Sequence, residues 1–313
     1  MPEGPRDAFI SPRFSQPPTF MRLPHREDVS GADIVLLGVP FDGGTTYRPG
    51  TRLAPREIRA QSSLIRPYNH FQKLSPFERF TVVDAGDVDA SPISVDRAFA
   101  AIEARVAGIA AAGARPLVAG GDHSISLPIL RALARRHGPL GLVHFDAHID
   151  TWNGDFGDRY FHGSPFYYAV EEGLVDARRF VQVGIRGPMY GPADFDYHRA
   201  KGITVIDIDS VHAVGVERTS EKVREVASGV VYVTFDIDCV DPAFAPGTGT
   251  PEIGGLTSHQ ALGLVRGLAG LHLAGADVVE VSPPFDGPGH ITSVLAANLL
   301  FELLCVMAMA GRT

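Results

Sequence analysis

The chain of 313 residues carries 28 Lys and Arg against 36 Asp and Glu, a formal net charge of −8. It is 45% hydrophobic and 20% charged, the balance of a globular protein that buries a sizeable core. No basic run is long enough to build a nucleic-acid surface, and the mild acidic excess suits a small cationic partner.

The first segment, Met1 to Pro18, is rich in proline and charge and lacks an apolar signal core, which predicts an N-terminal arm over 1–30 and a cytoplasmic protein. From there short apolar runs recur: Ile34–Val39, Thr81–Asp84, Leu117–Ala119, Leu142–Phe145, Val181–Ile185, Ile203–Ile206, Val231–Phe235 and Asp277–Val281. Their length and β-branched content predict strands buried on both faces. Helical patterns lie between them, with Phe99, Ile102, Val106 and Ile109 at helical spacing and a basic end on Pro128–His137. Alternating strands and helices predict one α/β domain over 31–313 on a mainly parallel sheet. Ser293–Met309 is apolar but holds Asn298 and Glu302. It reads as a buried helix, since a membrane span needs about 20 mostly apolar residues. Cys239 and Cys305 sit in apolar contexts and read as buried thiols with no disulfide framework.

Polar residues collect where strands end. Asp146, His148 and Asp150 alternate with apolar neighbours, as do Asp236 and Asp238, so each run aims its side chains to one side. Carboxylates massed beside imidazoles are costly unless a cation neutralises them. His123 follows two glycines that permit a tight turn; taken alone, such a residue is as well explained as a hydrogen-bonded histidine. Asp207-Ile208-Asp209 repeats the spacing but leads into a helix with no partners, and reads as a cap. Asp84 and Asp87 read as turn formers. The Pro- and Gly-rich stretch Asp241–Glu252 is a stiff loop able to wall a pocket.

The set Gly120-Gly121-Asp122-His123-Ser124, Asp146-Ala147-His148-Ile149-Asp150, His162-Gly163-Ser164, Asp236-Ile237-Asp238-Cys239-Val240-Asp241-Pro242 and Glu280-Val281-Ser282-Pro283 resembles the ureohydrolases. That family includes arginases, agmatinases, guanidinobutyrases and guanidinopropionases. The resemblance runs from Asp33 to Glu302. It implies a three-layer αβα sandwich around a mainly parallel sheet of about eight strands, and a homo-oligomer, a trimer or hexamer. It also implies two manganese ions per subunit. His123 would bind one and His148 the other, with Asp146 and Asp236 bridging and Asp150 and Asp238 completing the shells. Oxygen-rich ligands suit manganese, with nickel or cobalt left open by the ligand set. The same likeness places Glu280 against a substrate guanidinium and makes His162 the proton donor to the leaving amine; Thr248, in the Gly247–Thr250 loop, is expected to contact substrate.

The implied chemistry is attack of an activated water on a guanidinium carbon, releasing urea and an amine. Gly187 stands where arginases carry an aspartate, and Thr151–Phe156, Ile65–Asn69 and Pro251–Thr257 resemble agmatinases and guanidinobutyrases more than arginases. Arginine is therefore disfavoured. Trp152, Asn153 and Asp155 are expected to meet the substrate's tail. Asp155 and Asp158 favour an ammonium there, whereas Arg159 would favour a carboxylate. Agmatine, cleaved to putrescine, is the first expectation. The alternative is 4-guanidinobutyrate, cleaved to 4-aminobutyrate, or another guanidino acid. A non-catalytic binding subunit is the reading from another class, and metal content with a urea assay separates the two.

Overall fold

A computed structural model describes residues 3–311. Eight strands form one sheet: β1 (Ile34–Gly38), β2 (Val82–Asp87), β3 (Arg115–Ala119), β4 (Leu140–Phe145), β5 (Val175–Ile185), β6 (Thr204–Asp207), β7 (Val230–Asp236) and β8 (His272–Val279). Their order is β2-β1-β3-β8-β7-β4-β5-β6, and every pairing is parallel. Parallel strands need helical crossovers that cover both faces, so their side chains are apolar on both sides. In β4, Leu142 packs into one core and Val143 into the other.

The helices α1 (Ala54–Ser62), α6 (Ile208–Val226), α7 (Ser258–Arg266) and α8 (Ile291–Met309) cover one face, and α2 (Val95–Ala111), α3 (Ser126–His137) and α4 (Pro165–Glu171) cover the other. The short α5 (Asp196–Lys201) lies beside α4, with Tyr197 against Tyr167. This is the three-layer αβα sandwich. Almost all of α8 from Thr292 to Ala308 is buried, including Glu302, which pairs with Arg266. Cys239 and Cys305 are free and buried.

In its described part the segment before residue 31 packs onto the domain, with Phe20, Met21 and Leu23 buried in the core. Glu3 O and Pro24 O accept hydrogen bonds from Val82 N and Asp84 N, extending the β2 edge of the sheet. Asp84 is more than a turn former. Its carboxylate is buried and takes Arg59 Nε at 2.9 Å and Nη2 at 3.1 Å, while Arg59 Nη1 reaches Asp87 at 2.6 Å. Among apolar neighbours, a buried carboxylate without such a partner would be strongly destabilising.

The strands β3, β8, β7 and β4 are consecutive in space although far apart in sequence. Their carboxyl ends therefore meet at one place in the middle of the sheet. Sites in open parallel sheets form there.

Candidate metal centre

Each polar cluster is delivered by a strand exit. After β3 the chain turns so tightly that a Cβ on Gly121 would lie 1.7 Å from the Phe41 carbonyl oxygen, and only glycine fits. Asp122 then accepts from Gly44 N at 2.7 Å and Ser124 N at 3.0 Å, and also from the Ser124 hydroxyl. That brace swings His123 over the ends of β7 and β4. After β4 the run continues to Asp150, whose backbone sits at φ 47° with the residue buried. A non-glycine residue held in the left-handed region is strained and persists only where its surroundings impose it.

The side chains converge as two lobes. In the first, His123 Nδ1 lies 3.1 Å from Asp146 Oδ2, 3.0 Å from Asp150 Oδ2 and 3.1 Å from Asp236 Oδ2. His123 Nδ1 is buried, yet none of these contacts has hydrogen-bond geometry. Its other nitrogen, Nε2, is anchored 2.7 Å from Thr234 Oγ1. In the second lobe, His148 Nδ1 lies 3.1 Å from Asp238 Oδ2 and 3.4 Å from Asp146 Oδ1. Two donors about 2.1 Å from a shared ion and at right angles to each other stand about 3 Å apart. The first lobe has that spacing.

All six predicted ligands are thus brought together. Asp146 faces both lobes, one oxygen to each. Asp236 presents Oδ2 to His123, and its Oδ1 accepts from Asp238 N at 2.8 Å. The electrostatics point the same way. Burial works against charging His123 and His148, but the surrounding carboxylates win and hold both imidazoles well above their ordinary range. Burial, with Asp238 and Asp146 beside it, pushes the Asp236 carboxyl well up. A buried carboxylate cluster that gathers protons this way fits cations. The donor set, oxygen-rich with two imidazoles and no thiolate, suits a metal of manganese type.

Glu280 and His162 form a second pair beside the cluster. Glu280 sits at φ 61° and is buried. Its Oε1 accepts from His123 N at 2.8 Å and lies 3.1 Å from His162 Nδ1, while Oε2 has no partner. Burial lowers His162, but the hydrogen bond and charge of Glu280 outweigh it and raise the imidazole to about 9. His162 Nε2 lies 2.8 Å from Thr46 Oγ1. Asp122 is pushed up to about 7, first by burial and then by Glu280.

A cavity of about 590 Å³ opens above, lined by His148, Asp150, Trp152, Asp155, His162 and Tyr190 among others. Thr250, on the stiff loop, also lines it. Asn153 does not; its carbonyl accepts from Tyr168 OH at 2.7 Å. Thr248 is buried beside Val281, with its hydroxyl unpartnered. Asp155 faces the cavity, whereas the Arg159 guanidinium lies over the Tyr160 and Tyr168 rings, 5.5 and 5.1 Å from their centroids.

Sequence reasoning assigned no role to Thr46, Asp122, His144, Gln182, Arg186 or Glu252. Arg186 is buried and donates to Cys239 O at 3.0 Å, Asp238 O at 2.7 Å and Glu252 O at 2.8 Å, tying the end of β5 to the loop after β7. Glu252 lies 3.9 Å from His148 Nε2. It can come in because Gly187, at φ 79°, has no Cβ; one there would meet the Glu252 carboxylate at 2.7 Å. His144 carried an advance signal, an imidazole two residues before a predicted ligand, as did Asp122 beside His123 and Glu252 at the end of the stiff loop.

The Arginase family profile matches residues 32–306. The chain is 53% identical over 306 residues to a guanidinopropionase of Pseudomonas aeruginosa, covering 97% of this chain and 96% of that one. It is 48% identical over 300 residues to a guanidinobutyrase of the same organism, covering 95% and 94%. The structure superposes on proclavaminate amidinohydrolase from Streptomyces clavuligerus with a TM-score of 0.92 at 45% identity, covering 96% of this chain and all of that one. With its eight-stranded parallel sheet and its acidic cluster at the centre of that sheet, this chain belongs to the arginase family.

Proposed function

We propose that this chain hydrolyses a linear guanidino compound to urea and an amine at a pair of manganese ions. The observation that carries the reading is the two-lobed donor cluster, with the unpartnered Oε2 of Glu280 alongside it. His123, Asp150, Asp236 and one oxygen of Asp146 would hold one ion; His148, Asp238 and the other oxygen of Asp146 would hold the second. When bound, two such ions lower the pKa of a shared water and supply the nucleophile at neutral pH.

The chain's own residues do the rest. Glu280 offers its free oxygen to a guanidinium N–H, a charge-assisted bond strengthened by burial, and so presents the guanidinium carbon to the attacking water. As the tetrahedral adduct collapses, the bond from carbon to the alkyl nitrogen breaks. His162, which holds its proton through the Glu280 contact, gives that proton to the departing amine. Trp152 and Tyr190 line the cavity and keep water from the substrate's methylene chain.

The tail decides the substrate. Asp155 faces the cavity, no Lys or Arg among the described residues lines it, and Arg159 is turned away onto two tyrosines. These charges favour an ammonium tail, and agmatine, cleaved to putrescine, is the substrate they fit. The second reading is a short guanidino acid, favoured by the likeness to guanidinopropionase and guanidinobutyrase. Urea release by the manganese-loaded protein, measured with agmatine, 4-guanidinobutyrate, 3-guanidinopropionate and arginine, tests both. Agmatine is expected to lead in kcat/KM, with arginine at least about tenfold worse. A lead for either acid would replace the ammonium tail with a carboxylate, and no urea from any of the four would sink the hydrolase reading.

A further inference from the structure

Four buried polar side chains lie in one row across four adjacent parallel strands. Gln182 on β5 is in register with His144 on β4, His144 with Thr234 on β7, and Thr234 with Asp277 on β8. In a sheet that is otherwise apolar at this depth, each must be satisfied by a partner or it costs stability. Thr234 holds His123. Asp277 accepts from Tyr232 OH and Ser126 Oγ, both at 2.7 Å. His144 is the ambiguous member, because its ring lies within ligand spacing of His123, Asp146 and Asp150.

Gln182 resolves the ambiguity. One end of its amide lies 2.6 Å from the Ile149 carbonyl oxygen. A carbonyl only accepts, so that end is the NH₂. Its second N–H then faces His144 Nδ1 at 3.0 Å, which makes Nδ1 an acceptor with its lone pair occupied. The ring proton is therefore on Nε2, and Nε2 lies 2.6 Å from Asp146 Oδ2. The other end of the amide agrees: Gln182 Oε1 is 2.8 Å from His198 Nε2, and burial lowers His198 to about 4, leaving a neutral ring whose Nε2–H can donate. Donation runs one way, from His198 through Gln182 and His144 to Asp146.

We propose that His144 is a positioning residue and not a seventh ligand: held by Gln182 as the Nε2–H tautomer, it donates to Asp146 Oδ2 and fixes the carboxylate across both lobes. The inference rests on the metal-centre reading above. One lone pair of Oδ2 goes to the imidazole N–H and the other stays available to a cation. With Oδ1 on the other side accepting from His148 N at 2.6 Å, the carboxylate cannot then rotate to favour one lobe. A donor behind a metal-binding carboxylate is typically worth about 10–100-fold in metal affinity.

The test is manganese titration of metal-stripped full-length protein, followed by electron paramagnetic resonance. In wild type, two ions should bind. His144→Phe removes the donor and is expected to weaken binding about 10–100-fold, with two sites retained. His144→Gln places an amide N–H near the same point and should recover affinity to within about threefold of wild type. Gln182→Met should weaken binding as His144→Phe does. Unchanged affinity in His144→Phe overturns the proposal, as does outright loss of one ion in both His144 variants, which would make His144 a ligand. Neutron diffraction of the unaltered protein checks the tautomer without any variant; a deuteron on Nε2 supports it and one on Nδ1 alone overturns it. A wild-type protein that binds no manganese would instead bring down the metal-centre reading itself.

Discussion

Two Asp-Ile-Asp segments leave two parallel strands of one sheet, and they do different things. Asp207-Ile208-Asp209 follows β6, and Asp236-Ile237-Asp238 follows β7. Locally they begin alike, since the first aspartate of each caps the turn after it: Asp207 accepts from Ser210 N at 2.7 Å and Asp236 from Asp238 N at 2.8 Å. The difference is position. β6 is an edge strand, and both of its aspartates are exposed. β7 lies between β8 and β4, so its aspartates are buried among imidazoles and carboxylates brought by neighbouring strands. A carboxylate motif can join a metal-binding cluster when the sheet supplies partners on both sides, and otherwise remains a cap.

The contrast can be broken most sharply at its buried end. Asp236→Asn should lose metal from the first lobe and reduce kcat by about 10³-fold or more, since metal stabilisation of this kind is worth several kcal/mol. Elemental analysis alongside a urea assay checks it, and full metal content with full activity would end the distinction between the two segments. Next comes His162→Asn, expected to lower kcat by roughly 10²-fold or more while metal content holds. Unchanged turnover there would remove His162 from the mechanism.

The Glu280 contact behind His162 gives a signed pH effect. Because the folded imidazole is raised to about 9 from an ordinary 6.5, its pairing stabilises the fold fully below pH 6.5 and that stability is lost as pH rises through about 9. In metal-free Glu280→Gln the burial remains and the largest raising partner is gone, leaving only the charges of Asp150 and Asp122, so the His162 titration should fall well below 9. An imidazole NMR titration reads this directly, and a midpoint still near 9 would show that Glu280 is not its cause.

Asp155→Asn should cost agmatine about tenfold in kcat/KM and leave 4-guanidinobutyrate unharmed or improved; an equal loss on both substrates would mean that Asp155 acts on the loop and not on the tail. The smallest effect belongs to the control. Asp207→Ala is expected to cost about 1 kcal/mol in a denaturant melt, as a lost helix cap does, with turnover unaltered. A large loss of activity would show that the edge segment reaches the site after all.

Hydrophobic periodicity revealed all eight strands, and alternation aimed Asp146, His148, Asp150, Asp236 and Asp238 to one side, because both are local properties; the full set of six converging residues, His123 included, was legible only through the family likeness of its motifs. Periodicity misplaced elements where charge is neutralised by distant chain. β8 begins at His272 and not at Asp277, since Asp277 lies inside the strand with Tyr232 and Ser126 as partners. β5 begins at Val175, although Arg178 and Arg179 interrupt its apolar pattern; Arg179 reaches Asp176, Ser228 O and Pro139 O. The braces of the site were illegible for the same reason. Asp122 needs Gly44 and His144 needs Gln182, and strand register across a parallel sheet is not written in any one segment.

Glu252 lies close against Gly187, and this couples the two positions in any change of specificity. An aspartate introduced alone at residue 187 would meet three penalties: a left-handed backbone, the Glu252 carboxyl group in its space, and a like charge beside it. Shortening Glu252 first would free the space but withdraw a carboxylate from beside His148. An arginase-like arrangement at residue 187 is therefore reached from this chain only by altering both residues together, and a mutational path that takes them one at a time descends before it climbs.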